Sequence, residues 1–167
     1  MRAYPVTALP GDLPLPRAGT ELTGLLDDAL ATKLVGVLRC RRHHFMARRG
    51  GSMHAVDMFL AHSNAEQDHA DALAQRIVEL EAEPGFSPLA VVARSHVAFL
   101  EPSRELSGMA EEDLEATQAT AYALAELVRF VGNRDGVTRR MLLEILAADQ
   151  MRVQELSALI ASLRRQQ

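Results

Sequence analysis

The chain has 167 residues, a length that suits one domain with its own core. Aromatic residues make up only 4% and Trp is absent, which favours helix over sheet. The net charge of −4, with both signs interspersed, argues against a nucleic-acid-binding protein, and no apolar run is long enough for a membrane span. A single cysteine, Cys40, excludes an internal disulfide framework. Without an apolar leader, the chain is expected to be cytoplasmic.

The first segment is rich in proline. Residues 1–18 hold four of the seven prolines of the chain: Pro5, Pro10, Pro14 and Pro16. Because proline cannot donate a helical hydrogen bond, we predict an extended N-terminal arm over residues 1–18 and a single domain over residues 19–167. The pattern leaves open whether this arm lies across a neighbouring subunit or is loosely ordered.

Four long helices are predicted in the domain. They cover about 20–48, 52–82, 103–131 and 135–163, with Ser52 and Asp135 as N-caps. The second connection is long, contains Pro84, Gly85 and Pro88, and has a short helical piece within 90–100. Short, long and short connections predict an all-α, up-down-down-up four-helix bundle with one long crossover between helices two and three.

Polar or charged side chains interrupt each predicted inward stripe near its middle. They are Lys33 on helix one, Glu66 and His69 on helix two, Thr117 on helix three, and Asp149 and Arg152 on helix four. Any one of them alone fits a side chain whose polar end reaches water. A buried ionisable group, however, costs several kcal/mol unless it is paired or binds a metal. Four helices with such residues at one depth predict a shared internal polar cluster.

Three stretches resemble the bacterioferritin and Dps-like branch of the ferritin superfamily. They are LDDALATKLVGVLRCRRHHFMARR, HSNAEQDHADALAQRIVELEAEPGFSP and TRRMLLEILAADQ, and the similarity extends from Leu22 to Leu159. The most specific match is Glu-x-x-His-Ala-Asp at Glu66 to Asp71. The resemblance implies a bundle whose interior binds two irons through one glutamate from each of helices one and three and a Glu-x-x-His from each of helices two and four.

Only part of that ligand set is present. Glu66 and His69 match the family, whereas the other four ligand positions fall on Lys33, Thr117, Asp149 and Arg152. Asp149 keeps a carboxylate that is one methylene shorter, so Glu66, His69 and Asp149 are interpreted as a vestigial metal site. Bacterioferritins place a haem-ligating methionine directly after the helix-two glutamate. That position is Gln67 here, so no haem is expected.

The charges of the cluster balance without a metal. Lys33 and Arg152 contribute two positive charges, and Glu66 and Asp149 contribute two negative ones. We expect salt bridges between Lys33 and Glu66 and between Asp149 and Arg152 in place of a di-iron centre. No cofactor is therefore expected, and iron is implied only by the family resemblance.

Other polar residues allow further interpretations. His62, Glu66 and His69 lie at i, i+4 and i+7, a spacing that permits a mononuclear metal site, although His62 also fits a surface or interface position. The run from Arg41 to His44 is interpreted as a solvated face that complements the helix dipole. Cys40 is expected to pack as a small apolar residue.

Three functions remain open at this point. The first is a ferritin-like protein without a ferroxidase centre, a non-catalytic shell or scaffold subunit linked to iron homeostasis. It would form a homo-oligomer, either a dimer or a larger shell, or assemble with an active paralogue. The second is an active iron-storage protein that oxidises iron elsewhere, at residues such as His43, His62 and Asp71. The third is a dimeric ligand- or partner-binding protein that kept only the fold.

Overall fold

Helices make up nearly all of the described chain. The computed structural model describes residues 21–50, 52–99 and 103–165. Its five helices are α1 (Glu21–Ala47), α2 (Met53–Glu79), α3 (Pro88–Arg94), α4 (Leu106–Val131) and α5 (Gly136–Arg164), and the described residues contain no strand. None of these helices is long and apolar enough to cross a membrane. The predicted arm over 1–18 lies outside the described residues.

The helix ends follow from local hydrogen bonds. The Ser52 hydroxyl accepts from the Ala55 N–H at 3.3 Å, and the Asp135 carboxylate accepts from two backbone N–H groups in the first turn of α5, so both predicted N-caps are confirmed. Helix α4 begins at Leu106 rather than at Ser103, because the Ser103 hydroxyl accepts from the Glu105 N–H at 3.1 Å and forms a turn before the helix.

The connections produce the predicted topology. Helices α1 and α2 form one antiparallel pair, α4 and α5 form the other, and the long crossover carries α3 across α1. Val91 of α3 is buried with Ala31 and Val35 of α1. The Asp27 carboxylate accepts from the Gly85 N–H at 2.8 Å, and a Cβ atom at Gly85 would lie 2.9 Å from that carboxylate. The crossover is therefore held against α1 at its start, and the all-α bundle with one long crossover is confirmed.

The apolar core is divided into two clusters along the bundle axis. The first cluster lies toward the start of α1 and includes Leu26, Leu30, Leu73, Ile77, Leu124 and Leu142. The second lies toward the end of α1 and includes Ala47, Phe59, Met109, Ala110, Leu156 and Ile160. Between these clusters the inward positions are polar or charged. We call this middle zone the polar layer; it contains Lys33, Glu66, Asp113, Asp149 and Arg152.

An ion pair joins the end of α2 to the start of α5. Arg76 donates through Nη2 to Asp135 Oδ2 at 2.8 Å and through Nε to the Thr138 hydroxyl at 2.7 Å. Burial by itself would raise the pKa of Asp135, but hydrogen bonds from Thr138 and Arg76 outweigh it and lower that pKa to about 2. Asp135 thus caps α5 and fixes it to the neighbouring helix.

Replacing Asp135 with Ala should lower the free energy of unfolding by about 1–2 kcal/mol, because the cap and the ion pair are lost together. Urea denaturation measures this change. The pKa of Asp135 is lower in the folded chain than its ordinary value of 3.8, so its contribution is present above that value and disappears as the pH falls toward about 2. The exposed Glu144, replaced with Ala in the middle of α5, is the control and should change stability by less than about 0.5 kcal/mol. Equal effects of the two substitutions would contradict the assignment.

Candidate functional site

Lys33 lies at the centre of the polar layer and is fully buried. It is the only lysine of the chain. Its Nζ atom is 2.7 Å from both carboxylate oxygens of Asp149, and it is 3.5 Å from Oε1 and 3.3 Å from Oε2 of Glu66. A compact ammonium group with three N–H donors can therefore donate hydrogen bonds to carboxylates of α2 and α5 at the same time.

Arg152 completes the network from the other side of Glu66. Its Nη1 donates to Glu66 Oε1, and its Nη2 lies 3.5 Å from the backbone carbonyl of His62. Of the two expected salt bridges, the one between Lys33 and Glu66 is present at 3.3 Å, whereas the one between Asp149 and Arg152 is wrong. Lys33 binds Asp149 more closely than Glu66, and Arg152 binds Glu66, so Lys33 links α1 to both α2 and α5.

Of the two acids that contact Lys33, Glu66 is the more firmly ionised, because burial raises the pKa of Asp149 above its ordinary value. The burial of Glu66 would raise its pKa, but Lys33 and Arg152 outweigh that effect and lower the pKa of Glu66 below its ordinary value. Burial likewise opposes the charge of Arg152, yet the Glu66 carboxylate outweighs it and raises the pKa of the guanidinium. Both partners of this pair are stabilised in their charged forms.

Gly36 gives Glu66 the space that this arrangement needs. A Cβ atom at Gly36 would lie 3.0 Å from both Cδ and Oε2 of Glu66. The Glu66 carboxylate therefore lies against the backbone of α1, one turn after Lys33. Glycine inside a helix lowers stability by about 1 kcal/mol relative to alanine. At this position that loss accompanies the close approach of the Glu66 carboxylate to α1. Sequence reasoning did not single out Gly36.

The other two members of the predicted cluster stand apart from the ion pairs. Thr117 is buried, but its hydroxyl donates to the Asp113 carbonyl of its own helix at 2.7 Å. His69 is half-buried, and its Nδ1 atom has no hydrogen-bond partner among the described residues. Burial and the charge of Lys33 together lower the pKa of His69 to about 4, although the charge of Glu66 opposes them. The imidazole is consequently neutral beside a charged network.

His62 turns away from the polar layer toward α5. Its Nε2 atom lies 2.7 Å from Oε2 of Glu155, and burial lowers its pKa although Glu155 opposes this. Gln67 donates to the Asp71 carboxylate at 2.8 Å on the exposed side of α2. Within residues 21–50, 52–99 and 103–165, no group of three or more His, Cys, Asp or Glu side chains is arranged to hold a metal ion.

A second charged cluster, missed in the sequence, lies between α1 and α4. Arg39 Nε donates to Asp113 Oδ1 at 2.9 Å, and the Cys40 thiol lies 3.5 Å from Asp113 Oδ2. The two ring nitrogens of His43 are 3.2 Å from Asp113 Oδ2 and 3.3 Å from Glu112 Oε2, close enough for ion pairs but not aligned as hydrogen bonds. Charged groups of α1 thus contact α4 as well as α2 and α5.

The interpretation of residues 41–44 as a solvated face is wrong for both histidines. His43 is fully buried and its ring stacks edge-on against Phe59, with the ring centroids 5.4 Å apart. His44 is buried and bonds through Nδ1 to the Val56 carbonyl at 2.9 Å. One feature of the sequence could have indicated this: His43 follows Cys40, which is expected to be buried, by three residues and so lies on the same face of α1.

Burial also determines the behaviour of the single thiol. Cys40 is buried, as expected for a small apolar residue, and this burial raises the pKa of its thiol, with the Asp113 charge raising it further. For Asp113, burial would raise the pKa, but contacts with His43 and Arg39 outweigh it and lower the pKa. Cys40 therefore stays a protonated thiol beside an ionised carboxylate.

Replacing Lys33 with Met removes the ammonium while keeping the length of the side chain. It leaves two buried carboxylates with one guanidinium, so the free energy of unfolding should fall by about 3–5 kcal/mol. Chemical denaturation measures the loss. The double variant Lys33→Met, Asp149→Leu removes a cation and an anion together and should lose less than the single variant. A single variant as stable as the native chain would contradict the network.

The neutral state of His69 can be measured by NMR titration. We expect its imidazole to titrate near pH 4, well below the ordinary value of 6.5. A lowered histidine pKa contributes stability that is present above pH 6.5 and is lost as the pH falls to about 4. In folded Lys33→Met the His69 midpoint should rise, whereas that of His62, which responds to burial, Glu155 and Arg152, should stay in place. A midpoint near 6.5 in the native chain would contradict the site geometry.

Comparison with known proteins agrees with this architecture. The ferritin-like domain family matches residues 23–166. Among solved structures, the bacterioferritin-related protein of Bacteroides fragilis, described as a dodecameric thioferritin, superposes with a TM-score of 0.82. It is 21% identical, and the alignment covers 89% of each chain, so the likeness establishes the fold. No curated protein matches the sequence. Because the family match covers most of the chain, this protein belongs to the ferritin-like family.

Proposed function

We propose that this ferritin-like protein has lost its di-iron centre and acts as a non-catalytic shell or scaffold subunit linked to iron homeostasis. The observation that carries the proposal is the position of the Lys33 ammonium, 2.7 Å from both carboxylate oxygens of Asp149. A protein cation stands where the resemblance places a metal ligand. Its charge makes an inorganic cation unnecessary for electrostatic balance.

The donor atoms of the polar layer do not fit two iron ions. Both oxygens of Asp149 contact Lys33, and the oxygens of Glu66 contact Lys33 and Arg152. Iron would have to displace these cations from the acids they neutralise. Arg152 cannot become a ligand in their place, because a guanidinium stays protonated in proteins. Thr117 offers a hydroxyl that already donates to the Asp113 carbonyl.

The charge balance supports the same conclusion. Lys33 and Arg152 against Glu66 and Asp149 give a neutral set of buried groups. Each added divalent ion would bring two uncompensated positive charges into a region with little water. Burying an uncompensated charge costs several kcal/mol or more, so the cluster disfavours metal entry.

Assembly is the remaining part of the proposed role. The similar Bacteroides fragilis protein is a dodecamer. We propose that this chain also forms a homo-oligomer, or assembles with an active paralogue, through outward faces that the polar layer does not affect. The free, buried thiol of Cys40 suits the reducing cytoplasm, which we propose as its location.

Iron chemistry tests the proposal directly. When ferrous iron is added aerobically, absorbance of ferric species should rise no faster than in buffer, and no mineral should elute with the protein on gel filtration. Fast oxidation with a retained mineral would favour the active iron-storage alternative. A native mass equal to a dimer alone would favour the ligand- or partner-binding alternative, whereas a larger assembly without iron supports the scaffold role.

As a second test, the ligand set that the family resemblance implies can be introduced into the chain. The variant Lys33→Glu, Thr117→Glu, Arg152→His should bind two manganese or iron ions per chain, as measured by calorimetry and elemental analysis. The matched control Lys33→Gln, Thr117→Gln, Arg152→His has side chains of the same shapes without the new carboxylates and should bind neither. A folded triple variant that binds no metal would contradict the correspondence with the family site.

A further inference from the structure

A groove lies between α1 and α4, and His96 of the crossover also lines it. Its volume is about 610 Å³. On α1 it is lined by Glu21, Leu25, Ala29 and Thr32, which recur on one face of the helix. The groove therefore runs from the first described residue of the chain along the first half of α1.

The opposite wall is aromatic and apolar. Tyr122 and Phe130 of α4 line the groove together with Ala123 and Leu127, and 68% of the surface of Tyr122 is exposed. Proline-rich segments in the polyproline II conformation bind grooves lined by aromatic side chains, because that conformation is already extended and loses little entropy. The chemistry of the wall suits a segment that combines proline with leucine.

We propose that residues 13–17 of the N-terminal arm, Leu-Pro-Leu-Pro-Arg, lie in this groove of the same subunit. The arm reaches the groove directly, because residue 20 is joined to Glu21 on its wall. Ala18, Gly19 and Thr20 remain to reverse the direction of the chain, and glycine permits the backbone angles of such a turn. The proposal is independent of the role of the polar layer.

The lengths agree. Glu21 and Thr32 are eleven positions apart on α1, about 16 Å at roughly 1.5 Å per residue. A polyproline II segment advances about 3.1 Å per residue, so about five residues span that distance. Residues 13–17 provide that number.

The charges are also complementary. The groove residues include two carboxylates, Glu21 and Glu126, and its described lining contains no Lys or Arg. Glu126 also pairs with the exposed Arg129 on the outer side of α4, which leaves Glu21 as the principal partner. Arg17 would lie at the Glu21 end of the groove, next to the turn. Leu13 and Leu15 would then lie toward Thr32, against the apolar wall.

Disulfide trapping in the full chain tests the placement. Leu13→Cys, Leu15→Cys and Arg17→Cys are each combined with Ala123→Cys on the groove wall. Under mild oxidation at least one pair should form an intramolecular disulfide, on the order of tenfold more than the same arm variants combined with Gln118→Cys on another exposed face of α4. Three pairs are used so that a shift in register does not hide the contact. Arm variants that carry the added cysteine without Ala123→Cys measure any disulfide formed with the native Cys40.

The outcomes separate the possible occupants. Intramolecular crosslinks above the control support the proposal. Crosslinks found only between two chains would overturn it in favour of the arm of a second copy. No crosslinks above the control would overturn it altogether, because the groove is then empty or covered by another surface.

Tyrosine fluorescence gives a second measurement. The chain has two tyrosines and no Trp, so in a Tyr4→Phe background the emission comes from Tyr122. Replacing Leu13 and Leu15 with Asp should release the arm and increase acrylamide quenching of Tyr122. Leu9→Asp, outside the proposed contact, is the matched control and should leave quenching unchanged. Equal quenching in all three proteins would overturn the proposal.

Discussion

The bond between the Lys33 ammonium and the Asp149 carboxylate is the interaction on which the centre of this protein depends. Both groups are completely buried, so neither can be stabilised by water. Each group neutralises the charge of the other. Glu66 of α2 and Arg152 of α5 form a further ion pair beside them, and Lys33 also contacts Glu66. Replacing such a network with apolar residues is often neutral or stabilising, so its presence is better explained by what it specifies than by added stability. Here it connects α1, α2 and α5 at mid-depth.

Helix α1 supplies positively charged side chains to both buried charged clusters. Lys33 contacts acids of α2 and α5, while Arg39 and His43 contact acids of α4. Every long helix of the bundle is thereby bonded to α1 through a buried carboxylate. Arg152 adds a direct link between α5 and α2. These buried ion pairs join the four long helices to one another near mid-depth.

Cys40 lies between the two charged groups and is affected by both. Its thiol contacts Asp113 on one side, and the charges of Arg152 and Glu66 act on it from the other. Both clusters therefore influence the pKa of the same thiol. A change to either side alters the environment of the same buried atom.

The sequence was sufficient for the architecture because each long helix carries a regular apolar stripe and clear end signals. Ser52 and Asp135 could be recognised as caps from residue type alone, and Lys33, Glu66, Asp149 and Arg152 stood out as charges on apolar stripes. The contact of Lys33 with Glu66 could be predicted, but the closer contact of Lys33 with Asp149 and the pairing of Arg152 with Glu66 could not, because they depend on small differences in the distances between helices. The sequence predicts a solvent-exposed position for His43 and His44, because their neighbours Arg41 and Arg42 are basic. The role of Gly36 could not be predicted, because it depends on the absence of a side chain that would contact Glu66, and only the three-dimensional structure shows that contact.

The burial of the only lysine has a practical consequence. Reagents that modify side-chain amines act where solvent reaches them, and in this chain the one such amine lies at the centre of the bundle. Apart from the α-amino group, the folded protein offers these reagents no target. The rate at which Lys33 is modified therefore reports how often the middle of the bundle opens to solvent, without interference from the surface.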